Sequence, residues 1–140
     1  MTIFLTHLFF TLFNTGLIWT IQLVHYPLFL KVGPDHFVDY EHDHTTKISY
    51  LVIPSMITEL ATGILLTVSN GITSIYGLLF LLLSLIWVST FLLQVPLHNA
   101  LNHAYDPEKI RRLVNTNWIR TIAWTLKSII LLGILNEIIQ

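Results

Sequence analysis

The sequence predicts an all-α protein: one transmembrane four-helix antiparallel bundle over residues 1–140, with helical extensions at one end. Three observations carry that prediction. The chain is 54% hydrophobic and only 11% charged, with a mean hydropathy of +0.68, a balance that cannot be exposed wholly to water. Four stretches, 3–25, 48–68, 75–95 and 118–138, are long and apolar enough to cross about 30 Å of hydrocarbon at about 1.5 Å per residue. The connection "NGITSIYG" between the second and third is short enough to force an antiparallel hairpin, which makes those helices neighbours.

The first span, "MTIFLTHLFFTLFNTGLIWTIQLV", has no basic leading region and no small-x-small cleavage site, and it carries His7. It reads as a retained helix and not as a secretory signal. Segment 31–47, "KVGPDHFVDYEHDHTTK", opens with Gly33 and Pro34, a turn followed by a helix start, and predicts an amphipathic helical approach to the second span. Pro54 and Pro96 fall inside helices two and three and predict kinks there. In "AYDPEKIRRLVNTNW", Asp106 is placed to cap, Pro107 to take the first helical position and Glu108 the first turn, so the fourth helix begins well before its span. Lys31, Lys47, Lys109, Arg111 and Arg112 flank the first and third connections, whereas the N-terminus and the middle loop have no lysine or arginine. The positive-inside rule then puts those two connections in the cytoplasm and both termini on the non-cytoplasmic side of an inner or plasma membrane.

Composition also excludes several classes of function. With no cysteine there is no disulfide, thiolate metal site, iron–sulfur cluster or cysteine nucleophile. Seven lysines and arginines, thinly spread, make neither a nucleic-acid surface nor a polybasic lipid patch. Glycine elbows, phosphate loops and a repeat period are absent. Gly16 and Gly63 are isolated, as glycines at close helix contacts are.

Chemistry-bearing residues gather at the predicted cytoplasmic end. "FLLQVPLHNALNHAYD", residues 91–106, turns from lipid-facing to polar while still reading as helix. The topology brings it beside His25 and Tyr26, His36, His42 and His44, and Asn115, Asn117 and Arg120, so that six of the seven histidines share one end. His42 and His44 stand about 200° apart on a helix, and His98 and His103 about 140°, so neither pair chelates while helical. A metal would need one ligand per helix: His25, His44 or His42, and His98, with Glu59 as a fourth. A haem held by His25 and His98 is a further alternative. Against both stands the reading that these are interfacial histidines bonded to backbone or headgroups, with no cofactor.

Glu59 lies near mid-bilayer, where an acid needs a partner or a proton. Lys127 reaches a similar depth on the parallel fourth helix, and Arg120 is a second partner. Two readings stay open: a buried ion pair that fixes helix register, or a carboxylate that handles protons. Gln22 with His25, Ser55 with Glu59, Gln94 with His98, and Asn117 with Arg120 form short polar stripes at helical spacing. Converging, they would line a pocket walled by Tyr26, Tyr40, Trp118 and Trp124, suited to a flat apolar ligand such as a quinone. For Tyr40 and Trp118 the competing role is a headgroup-level aromatic belt.

"VPLHNAL" at 95–101, followed across a basic loop by "NWIRT" at 117–121, resembles the end of helix three and the start of helix four in small anthrone-oxygenase-like membrane proteins. The resemblance covers the last third of the chain; His98 stands where an asparagine is expected, and Leu113 where a tryptophan is. It implies a four-helix bundle, oxygenation of an apolar polycyclic substrate without metal or flavin, and roles for Asn99, Asn117 and Arg120.

Two functions follow. In the first, an enzyme binds an apolar aromatic or quinone-like substrate at the cytoplasmic end, Arg120 and Asn117 stabilise an oxyanion, and His98 or His25 moves a proton. In the second, a non-catalytic subunit docks a protein partner, another copy of itself or a lipid headgroup through that end.

Overall fold

The computed structural model describes all 140 residues and consists of four long helices joined by short turns. They are α1 (Thr2–Val32), α2 (Pro34–Asn70), α3 (Ile75–Leu101) and α4 (Pro107–Ile139), each long and apolar enough to cross a membrane. Each helix packs on two neighbours in the ring order α1, α2, α3, α4, and diagonal helices meet only through side chains at the centre.

The helices start where local chemistry dictates. Gly33 adopts φ +82°, a left-handed conformation that breaks α1 from α2, and Pro34 then takes the first position of α2 without an N–H to waste. Asp106 caps α4 by accepting from the backbone N–H of Glu108 and Lys109 at 3.0 and 3.1 Å. Its carboxyl is held below the usual aspartate range, chiefly by the hydrogen bond from the Lys109 side chain. Gly77, at the start of α3, is required by close approach: a Cβ there would sit 1.7 Å from the Ile72 carbonyl oxygen. The first, second and third spans extend beyond the expected 25, begin before 48 and run past 95, because the amphipathic flanks continue as helix.

Two widened turns interrupt otherwise regular helices. Ile21–His25 in α1 and Thr90–Gln94 in α3 are π-helical, with the Tyr26 N–H bonded to the Ile21 carbonyl and the Val95 N–H to the Thr90 carbonyl. Each is followed within two residues by proline, Pro27 or Pro96, whose ring collides with the carbonyl four residues back in a regular helix. Adding one residue to the turn relieves that collision. It also rotates the following residues by about 100° relative to an uninterrupted helix. The matching stretches "LVHYPLF" and "LLQVPLH" are a short internal repeat not evident as a period in the sequence. Pro54 lies inside α2, which runs unbroken through it.

The interior is as polar as it is apolar: 17 buried hydrophobic residues face 17 buried polar or charged ones. Leu23, Leu81, Leu92 and Ile129 are exposed on the outside, the arrangement a lipid solvent favours. Apolar packing forms three layers, around Phe29, Phe37 and Leu113 at the histidine end, Ile18, Met56 and Trp124 in the middle, and Phe4, Leu79 and Leu131 toward the termini.

Candidate functional site

Polar side chains collect in two separate centres. The deeper one is built around Glu59, which is completely buried. It accepts from Thr11 and Asn14 of α1 at 2.8 Å each and from the Trp124 indole of α4 at 3.1 Å, and it pairs with the Lys127 ammonium. Lys127 donates also to Thr11 and to His7 Nε2, both at 2.9 Å. Because His7 Nε2 accepts, its Nδ1 carries the proton and donates to Thr62 at 2.8 Å. Ser55 donates to Asn14 at 2.7 Å. Glu59 therefore pairs with Lys127 and not with Arg120, and His7, to which the sequence assigns no role, completes the network. No polar atom of this centre is left without a partner, so a ligand has nothing to add there.

The second centre lies at the histidine end. Glu41 of α2, completely buried, accepts from His98 Nδ1 of α3 at 2.5 Å. With that nitrogen protonated, His98 Nε2 is left to accept from the Tyr26 hydroxyl of α1 at 2.8 Å. The result is a carboxylate–imidazole–phenol chain across three helices, assembled by the two widened turns, which set Tyr26 and His98 facing inward. Beside it His25 Nε2 and His44 Nδ1 share a hydrogen bond of 2.7 Å, and the His44 and His98 rings lie 5.6 Å apart. His25 Nε2, His44 Nδ1 and both nitrogens of His98 are thus bonded to one another or to Glu41 and Tyr26. No three histidine or carboxylate side chains are arranged around a common point.

Tyr26 and His98 open onto a groove of about 670 Å³ between α2 and α3, which also exposes Asn99 and Arg120. Arg120 is 6% exposed, and no carboxylate lies within ion-pair distance of it. Its guanidinium stacks 5.7 Å from the Trp124 ring and donates to Thr90 at 3.4 Å, and its Nε has no partner. Trp87 Nε1, Gln94 Oε1 and Asn102 Oδ1 are also buried without a partner, so four of the seven such atoms in the protein belong to residues lining this groove. Each orphan costs about 1–3 kcal/mol while nothing bonds to it. A second cavity of about 610 Å³, on the α1–α2 side, is lined by His25, His44, Tyr40, Asp39 and Asp43.

The six residues singled out from the sequence are therefore distributed over more than one place. His98, Asn99 and Arg120 share the groove. His25 faces the other cavity and reaches toward His98 only through His44. Glu59 belongs to the deeper centre. Asn117 donates to Gln22 at 2.9 Å inside the α1–α4 contact, away from the groove. Of the proposed aromatic walls, only Tyr26 lines the groove; Trp118 instead lies edge-on to Trp19, 5.7 Å away. The residue that sequence reading missed is Glu41. Its signal is the Glu-x-x-His spacing from Glu41 to His44, which puts both on one buried face of α2.

Comparison with family models, curated proteins and solved structures finds no match to this chain.

Proposed function

We propose that this protein is a membrane enzyme that removes a proton from an apolar, quinone-like or polycyclic aromatic substrate held in the α2–α3 groove. The observation that carries the reading is the Glu41–His98–Tyr26 chain ending in a groove with an apolar, exposed rim. The Tyr26 oxygen takes the substrate proton as its own proton passes to His98 Nε2, and the imidazolium so formed is held by the buried Glu41 carboxylate. The anion left on the substrate faces Arg120. The resemblance to anthrone-oxygenase-like proteins supports a further step, in which that anion reacts directly with dioxygen. One oxygen atom of the dioxygen then becomes the carbonyl that replaces an activated methylene, and the other leaves as water with the two methylene hydrogens.

The test is oxidation of anthrone under air by purified protein in mild detergent, followed by absorbance. Wild-type protein is expected to turn it over, and Tyr26→Phe and His98→Ala to lower the rate by about 10²–10⁴ with helical circular dichroism unchanged. Rates unaffected by both substitutions, or no turnover by the wild type, reject the reading. A non-catalytic membrane subunit is the second reading, supported by the Glu59–Lys127 centre, which is complete without any ligand. It predicts a protein partner that copurifies and no small-molecule turnover.

We further propose that the histidine end faces the cytoplasm, on the charge of Lys31, Lys47, Lys109, Arg111 and Arg112. Because the chain has no cysteine, single Ala104→Cys and Ile72→Cys variants at exposed positions report the orientation. An impermeant thiol reagent added outside intact cells should label the second and spare the first; the reverse pattern overturns the assignment.

A further inference from the structure

Arg120 is the one buried cation in the interior without an anionic partner. Lys127 has Glu59, whereas the Arg120 guanidinium has a hydroxyl, an aromatic face and an unpartnered Nε. A cation desolvated in this way is costly unless an anion joins it. The space beside it is the groove, and the mouth of the groove is apolar: Ile53, Ile57 and Phe91 line it and are more than half exposed, at 54%, 54% and 58%. Something that reaches Arg120 by this route arrives through lipid. Elsewhere the groove lining supplies one further unsatisfied donor, the Trp87 indole N–H, and two unsatisfied acceptors, the side-chain carbonyls of Gln94 and Asn102.

We propose that the groove binds an apolar monoanion taken from the bilayer, with its charged oxygen on Arg120 and its apolar body between α2 and α3. The inference rests on reading the groove as the substrate site, but it does not require catalysis. It specifies the charge of the ligand, which the proton chain alone does not. Two bodies carry the same head chemistry: a flat ring with an ionised enol or phenol oxygen, and an acyl chain with a carboxylate.

Binding is read by quenching of tryptophan fluorescence in mild detergent, Trp87 being in the groove. The probes are lawsone, a naphthoquinone whose hydroxyl is ionised at neutral pH, and unsubstituted naphthoquinone, which is neutral. Wild-type protein is expected to bind lawsone about tenfold or more tighter than naphthoquinone. Arg120→Met should abolish the difference and Arg120→Lys should keep much of it. Equal affinities in the wild type, or a preference that survives Arg120→Met, overturn the proposal. Should Arg120→Met not fold, the wild-type comparison and Arg120→Gln decide. Oleate added to the lawsone complex identifies the body: displacement marks an acyl chain as an accepted ligand, and lack of displacement confines the site to flat rings. An Arg120-dependent preference without anthrone turnover removes the enzyme reading and leaves this one, and turnover without the preference does the converse.

Discussion

At the scale of single residues, His98 is defined by what its two nitrogens touch. The Glu41 carboxylate can only accept, so it fixes the His98 proton on Nδ1 and leaves Nε2 as an acceptor for Tyr26. Glu41→Gln keeps an oxygen that can accept from Nδ1 but removes the negative charge that holds the imidazolium formed when His98 takes the Tyr26 proton. Turnover is expected to fall by an amount comparable with His98→Ala, and stability much less; a Glu41→Gln protein with wild-type rates shows that the carboxylate charge does not matter. His98 and Arg120, which the structure places on one groove, were legible as candidates because polar groups at the end of an apolar helix stand out in any linear reading. Glu41 was not, because its partner lies 57 positions away on another helix. Asn117 was misplaced for the same reason: helical spacing groups it with Arg120, but its amide turns to Gln22 across the α1–α4 contact.

At the scale of elements, starts and stops were readable, and the widened turns were not. Gly33–Pro34 and Asp106–Pro107 punctuate where expected because capping depends on three or four adjacent residues. A proline within a span predicts a disturbed helix, but whether it is met by a kink or by an inserted residue depends on what the rotated side chains find to pack against. Those turns have a sharp consequence. Pro27→Ala, which removes the ring that holds the turn wide, should let regular helix form in α1 and rotate Tyr26 away from His98 by about 100°. Helical content should stay near wild type while lawsone affinity and turnover are lost; retention of both shows that the turn is not what aims the site. Capping of α4 carries a pH dependence of its own. Because the folded-state pKa of Asp106 is depressed, its contribution is present above the ordinary aspartate value and is lost as pH falls through the lower folded value. Asp106→Asn, which still caps but does not titrate, should flatten that acid limb in a melting series by lowering the neutral region slightly and leaving the most acid region unchanged.

At the scale of the whole molecule, composition and span length were enough for the bundle, because a bilayer accepts few other solutions for four apolar stretches of this length. What they did not reveal is the division of the polar interior into a satisfied centre and an unsatisfied one. The difference is not in residue type, since both hold a carboxylate and a base, but in how many hydrogen-bond partners the neighbouring helices bring. Around Glu59 every group is met from within the chain, as expected of an element that holds helices together; along the groove several are not, as expected where something else completes them. The two centres should therefore separate on mutation. Glu59→Gln leaves the Lys127 ammonium buried without its carboxylate and should cost about 3–5 kcal/mol, read as a lower Tm in detergent. Adding Lys127→Met removes the stranded charge and should recover much of that loss, although His7 Nε2 then lacks its donor. In both variants, measured well below their melting temperatures, lawsone affinity should match the wild type, whereas Arg120→Met should lose affinity with little change in Tm. If Glu59→Gln instead abolishes binding in a protein that is still folded, the deep carboxylate belongs to the site after all and the two centres act as one.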